Sequence, residues 1–363
     1  MRIVNICSNF VYSKLYYDFY QSMKEINQNI TAYCPVRREG FKTALNYVNF
    51  EDEYIQNINK KITVSACFKN IDRFFFYHKR RLVYRDYIKK IGIGDDYIIA
   101  HSCMTDGYIA YKLHQKYHLE YTVFVQNTDI NVFFKKFPFL RSLGKRIMLN
   151  ATKVVFSSES VKKAFVEKYL LEDVDIINKI CCIPFGVDNY YLENKGIPKK
   201  MGKELNVITV GSINKNKNQL AVCEALSKLV KDGYTVNYSL CGSIADKEEF
   251  QKIAQYSFVS YLGIKSKEEL LPLYRENDIF ILNSIHETFG LVYVEAMSQG
   301  LPILYSQNQG FDGQFDEGYV GYHITNLVED IKKTIDNYER LSKNALEAVD
   351  SFSWRRIAEE YLK

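Results

Sequence analysis

Apolar residues in this chain come in short runs that close on polar or glycine residues, separated by longer stretches of mixed character. Apolar runs of this length predict buried strands, and apolar positions spaced three and four apart predict helices. In the first half, strands are expected at 3–7, 30–33, 96–102, 121–125 and 151–157, with helices running to about residue 23 and over 106–116 and 158–170. Residues 183–188 are expected to form the last strand of this half, running into a linker. The second half alternates more regularly, with strands at 206–210, 235–241, 259–262, 278–283 and 301–305 and helices at 218–231, 246–256, 266–276 and 291–299. Strands alternating with helices imply parallel sheets, so the predicted class is α/β.

A length of 363 residues, 47% of them hydrophobic, exceeds one ordinary core and suits two α/β domains sharing a cleft. The polar, lysine-rich stretch 192–204 marks the boundary. The opening Met-Arg-Ile-Val-Asn-Ile-Cys reads as a strand, and no run of about 18 apolar residues follows it, so neither secretion nor membrane spanning is expected. The eight cysteines contain no C-x-x-C pair and mostly adjoin apolar strands, which predicts reduced, structural thiols in a cytosol. The six histidines do not cluster with them, so no metal centre is expected.

Charge is unevenly placed. Residues 1–190 carry 28 Lys/Arg against 19 Asp/Glu, whereas residues 191–363 carry 20 against 24. Much of the excess lies in 68–90, where Lys69, Arg73, Lys79, Arg80, Arg81, Arg85, Lys89 and Lys90 face only Asp72 and Asp86 and are interleaved with aromatics. A second stretch, 133–146, has five basic residues, several aromatics and no acid. Such stretches suit an anionic membrane surface, or form a solvated basic face over core aromatics. No nucleic-acid-binding module accompanies them, and no nucleic acid partner is expected.

The chemistry concentrates in Asn283-Ser-Ile-His-Glu-Thr-Phe-Gly-Leu-Val-Tyr-Val-Glu-Ala-Met-Ser-Gln-Gly-Leu-Pro302. A buried strand ends near Asn283, Glu287 lies in a short loop, and a helix starting near Leu291 carries Glu295 one turn inside. Free amides and the positive dipole end of that helix suit phosphate oxygens, Gly290 permits close approach, and carboxylates accept hydrogen bonds from vicinal hydroxyls. A sugar nucleotide offers those groups in that order. Two glutamates eight apart would otherwise be a helix-start carboxylate and a solvated helix residue.

This segment closely resembles the Glu-x7-Glu signature of retaining glycosyltransferases of family 4, which have the GT-B architecture: two Rossmann-like domains facing across a cleft, with a C-terminal helix crossing back to the N-terminal domain. The resemblance implies an acceptor-binding domain over 1–187, a donor-binding domain over 188–350, and a terminal helix, 351–363, packed on the first domain. It assigns Glu287 to donor-sugar hydroxyls, the backbone of Phe289, Gly290, Leu291 and Val292 to the sugar and diphosphate, and Glu295 to the ribose. Val210-Gly-Ser-Ile-Asn-Lys-Asn-Lys resembles the phosphate-binding loop, with Lys217 at the usual Lys and Ser212 where Arg is usual. Gly263 and Ile264 match the base-binding loop. In the first domain His101 matches a strand-end histidine that is either a site residue or a structural one. Asn127 and Asp129 fall in the acceptor-side loop, where Asp129 either binds the acceptor hydroxyl or caps a turn.

The resemblance further implies transfer of a hexose or N-acetylhexosamine from a nucleotide sugar, a UDP-sugar foremost, to a lipid-linked or cell-surface glycan acceptor in bacterial polysaccharide or glycoconjugate synthesis. No cofactor and no metal is implied, and the site would lie in the cytoplasm or at the inner face of the plasma membrane. Asp173-Val-Asp175 imitates a metal-binding D-x-D but follows a helix away from the donor motifs, and is read as surface charge. Two rivals share these features: a sugar-nucleotide epimerase of the same fold, and a catalytically weak binding partner, suggested by Ser212.

Overall fold

The computed structural model describes residues 1–39 and 61–363. They form two compact units, one comprising residues 1–156, 164–183 and 358–363, the other 157–163 and 184–357.

The first unit is built on seven strands: β1 (Arg2–Ile6), β2 (Ile30–Arg37), β3 (Ile62–Phe68), β4 (Asp96–Ala100), β5 (Glu120–Phe124), β6 (Lys153–Phe156) and β7 (Ile180–Cys182). Their order is β3-β2-β1-β4-β5-β6-β7, parallel throughout. Strands covered on both faces are mostly apolar, and Val4, Ile6, Ile98, Ile99 and Val154 are accordingly closed to solvent. The predicted strand at 183–188 lies one step earlier, at β7. Pro184 has no N–H for a sheet ladder and stops the strand.

The second unit carries β8 (Leu205–Val210), β9 (Val236–Cys241), β10 (Val259–Gly263), β11 (Ile279–Leu282), β12 (Ile303–Ser306) and β13 (Gly321–Ile324) in the order β10-β9-β8-β11-β12-β13, again all parallel. The pleat sends alternate side chains of β11 to opposite faces. Ile279 and Ile281 join Val207, Leu226 and Leu304 on one side, while Phe280 and Leu282 join Tyr274, Val294 and Ile303 on the other.

Each sheet reverses its strand order once, between β1 and β4 in the first unit and between β8 and β11 in the second. Loops leaving adjacent strands diverge at such a point, so the crevice beyond the strands' carboxyl ends is where open α/β sheets take ligands.

The Trp354–Leu362 helix closes the chain. Trp354 covers Gly186, where an added Cβ would lie 2.4 Å from the indole. Tyr361, within the first unit, stacks on Phe124 and meets Phe19 edge-on, with centroids 5.0 and 4.9 Å away.

Among the described residues no helix is long and apolar enough to cross a membrane. Cys7, Cys34, Cys67, Cys103, Cys223 and Cys241 are buried free thiols.

Candidate active site

The switch point of the second sheet gathers the charged residues that the sequence singles out. After β8 the chain turns through Gly211 and Ser212 and, with Asn218 at φ +53°, enters the Gln219–Lys231 helix. After β11 it turns through 284–290 into the Leu291–Ser298 helix. Asn216 stitches the two loops together: its carbonyl accepts from the Ile285 amide at 2.7 Å, its side-chain oxygen from the His286 amide, and its side-chain nitrogen donates to the His286 carbonyl. This brings Lys217 Nζ to 2.6 Å from Glu287 Oε2, in a pair whose side chains are 22% and 13% exposed.

Glu287 is fixed from several sides. Ser284 Oγ donates to Oε2 at 3.3 Å, the Thr288 amide to Oε1 at 3.1 Å, and the Glu287 amide donates to Gln309 Oε1 at 3.1 Å. Its carbonyl accepts from the Gly310 amide. A Cβ on Gly310 would stand 2.4 Å from the Phe289 nitrogen, so that contact requires glycine.

Phe289 is buried among Phe185, Phe311 and Phe352 and anchors the loop. Gly290 follows at φ +84°, where a Cβ would meet the Tyr293 ring at 2.5 Å. The helix begins at Leu291 and Val292 with no side-chain cap, which leaves its N-terminal amides to polar groups of another kind.

Glu295 lies one turn further on. Tyr274 donates its hydroxyl to Oε2 at 3.1 Å, and Tyr191 also hydrogen-bonds the carboxylate. Burial outweighs both phenols and pushes the Glu295 carboxyl up to about 7.

Ser212 Oγ lies 3.0 Å from Ser243 Oγ and brings no charge to this loop. Lys215 is exposed. At the end of β10, Gly263 has φ +77° and its carbonyl accepts from the Gly242 amide, while Ile264 is 76% exposed.

The remaining candidates lie in the first unit. His101 leaves the carboxyl end of β4 with its ring stacked on Phe124, Tyr16 and Phe19 edge-on, and Nε2 3.0 Å from Asn5 Oδ1. Full enclosure pulls its pKa down to about 3, which keeps the imidazole neutral. Asp129 accepts from the amides of Cys103, Met104 and Gln126 at 2.9, 2.8 and 2.9 Å, and so ties three loop amides together. Asn127 accepts from Asn131 Nδ2.

Two features here carry no sequence signal of their own. Ser8, after β1, donates its amide and hydroxyl to Asp106, which opens the Asp106–Tyr117 helix after β4. Burial raises the Asp106 carboxyl to about 6. Tyr191, Tyr274 and Asn216 likewise read in the sequence as core aromatics and a loop amide. Asp173, of the D-x-D imitation, pairs with Lys145 at 2.6 Å. Among the described residues no group of three His, Cys, Asp or Glu is placed to hold a metal ion.

Comparison with known proteins places this geometry in a wider set. Residues 192–350 match the family described as glycosyl transferases group 1. A probable sucrose-phosphate synthase of Thermosipho melanesiensis is 29% identical over 242 residues, covering 62% of this chain and 57% of that protein. The capsular polysaccharide biosynthesis glycosyltransferase CapM of Staphylococcus aureus is 26% identical over 248 residues, covering 62% and 64%. The matched segment thus spans less than two thirds of either relative. In three dimensions, Anabaena Alr3699/HepE in complex with UDP superposes with a TM-score of 0.71 at 15% identity, over 100% of this chain and 98% of that one. The chain has the GT-B fold, and its residues 192–350 are similar to the glycosyl transferases group 1 family.

Proposed function

We propose that the protein is a retaining, metal-independent glycosyltransferase that moves a hexose or N-acetylhexosamine from a nucleotide sugar, a UDP-sugar foremost, to a lipid-linked or cell-surface glycan acceptor on the cytoplasmic side of a bacterial membrane. The observation that carries this reading is the meeting of Lys217 and Glu287 at 2.6 Å beside the uncapped helix start at Leu291.

Breaking a sugar–phosphate bond builds negative charge on the departing diphosphate and positive character at the anomeric carbon. Lys217 and the amides of Leu291 and Val292 form a pre-oriented positive site for that diphosphate, which lowers the barrier in a water-poor crevice. Glu287, held by Ser284 and the Thr288 amide, is the acceptor for sugar hydroxyls. Glu295 takes the ribose hydroxyls, with Tyr191 and Tyr274 steering it, and Gly263 and Ile264 border the base. Lys217 is the cation assigned to the diphosphate, because Ser212 stands where the resembled family has Arg and Lys215 is exposed.

The first unit is assigned the acceptor, through the loop that Asp129 and Asn127 shape. His101 contributes by packing. Front-face departure of the diphosphate, which takes the acceptor proton as it leaves, retains anomeric configuration and needs no separate protein base.

The test is a panel of UDP-, GDP- and ADP-sugars read first by thermal shift, since a preferred donor stabilises the folded state by mass action, and then by nucleotide release with candidate glycolipid acceptors. A preferred donor, consumed faster with acceptor and yielding the retained anomer, supports the reading. Isomerised donor in the absence of acceptor would assign the site to an epimerase instead.

A further inference from the structure

Two segments more than fifty residues apart in sequence meet on one face of the first unit. The Phe76 ring packs edge-on against Phe133 and Tyr77, with centroids 5.8 and 5.1 Å away. Phe133 continues to Phe137 at 6.4 Å and Phe137 to Phe139 at 5.9 Å. Tyr108 adjoins Phe76 and Tyr77 at 6.1 and 6.3 Å. Along this aromatic row, Tyr77 is 58% exposed and Phe139 74%, with Phe75 beside them at 58%.

The row is rigidly founded. Arg80 lies beneath it, 4% exposed, with its guanidinium 3.2 Å from the Phe76 centroid and hydrogen bonds to the carbonyls of Met104 and Phe76. Arg80 is therefore structural, in contrast to its place in the basic stretch of the sequence.

Exposed cations lie on the same two segments. Arg81, Arg85 and Lys89 follow Tyr77 at four-residue steps on the exposed face of the Phe76–Lys90 helix, and Lys135 and Lys136 stand exposed between Phe133 and Phe137. The acids of the first segment are held by partners: Asp72 accepts from the Lys69 amide and Asp86 from the Tyr33 hydroxyl. Exposed phenylalanines framed by long, flexible cations suit a fluid surface that is apolar within and anionic at its phosphates.

We propose that this face docks the protein on an anionic lipid bilayer. The proposal stands apart from the reading of the donor site, because none of these residues belongs to it.

The experiment is flotation of the full chain with phosphatidylcholine vesicles and with vesicles of equal phosphatidylcholine and phosphatidylglycerol, at low and high salt. The expected result is flotation with the anionic vesicles alone, lost at high salt. Each Lys or Arg near an anionic leaflet strengthens binding about fivefold, so R81E, R85E and K136E together should weaken it by more than about a hundredfold. Phe75→Ala with Phe139→Ala should weaken binding at low salt, while thermal melting and nucleotide-sugar binding stay unchanged in both variants. Equal flotation of wild type and variants, or none of wild type, would overturn the proposal. So would a vesicle-free dimer that the Phe75→Ala, Phe139→Ala variant abolishes, which would give the face to a second copy of the chain.

Discussion

Lys217 Nζ and Glu287 Oε2 lie 2.6 Å apart, so the cation proposed for a diphosphate and the carboxylate proposed for a sugar neutralise one another across two loops. Both roles depend on the same contact. Lys217→Met should lower donor turnover about 10²- to 10³-fold, the usual effect of removing one preorganised charge, and should cost about 1 kcal/mol of stability by leaving Glu287 partly enclosed without its partner. Combining it with Glu287→Gln should restore melting but not turnover. Full turnover in Lys217→Met would remove that lysine from the chemistry.

Glu295 gives the site a pH dependence. Its folded pKa, about 7, lies above the ordinary 4.5. The folded protein therefore binds this proton more tightly than the unfolded chain, and stability falls as pH rises from about 4.5 to about 7. Above that the penalty is constant, up to about 3 kcal/mol. Glu295→Gln should raise the melting temperature at pH 8 and leave it nearly unchanged at pH 4, as calorimetry at the two pH values would read.

The ionised carboxylate is also the better acceptor for the ribose hydroxyls proposed to meet it. The donor KM should therefore fall as pH rises through 7 in the wild-type protein and lose that dependence in Glu295→Gln. Tyr274→Phe removes a hydrogen bond that lowers the Glu295 pKa, and should move the KM profile to higher pH without changing its shape. An unmoved profile would show that the phenol does not steer the carboxylate.

Gly310→Ala places a methyl group 2.4 Å from the Phe289 nitrogen. The loop must retreat and draw Glu287 away from Lys217, because the Gly310 amide holds the Glu287 carbonyl. The expected result is a donor KM raised about tenfold or more, with kcat also reduced. Titration of donor by calorimetry checks it, and wild-type affinity would dispose of the argument.

The second unit was the more legible in sequence, for a physical reason. β8, β9 and β11 are central strands whose apolar residues dominate, and each is followed by a clear helical stretch, so the alternation has few other readings. β3 and β13 are edge strands that escaped prediction: β3 is broken by Thr63 and Ser65, and β13 by Gly321 and His323. Glu287 and Lys217 stand out because each follows such a central strand at a loop. Tyr191 and Tyr274 do not, since their rings are core residues and only the hydroxyl reaches Glu295. Asn216 is one polar residue among several in its loop, and its three bonds become visible only when the loops from β8 and β11 stand side by side.

The indole of Trp354 is the only one in the protein, and it is buried against the backbone at Gly186. Tryptophan emission therefore arises from a single, defined place, close to where the chain passes from the second unit to the first. A red shift of that emission on mixing with a ligand would report water reaching the Trp354 indole, and the protein needs no added dye to announce it.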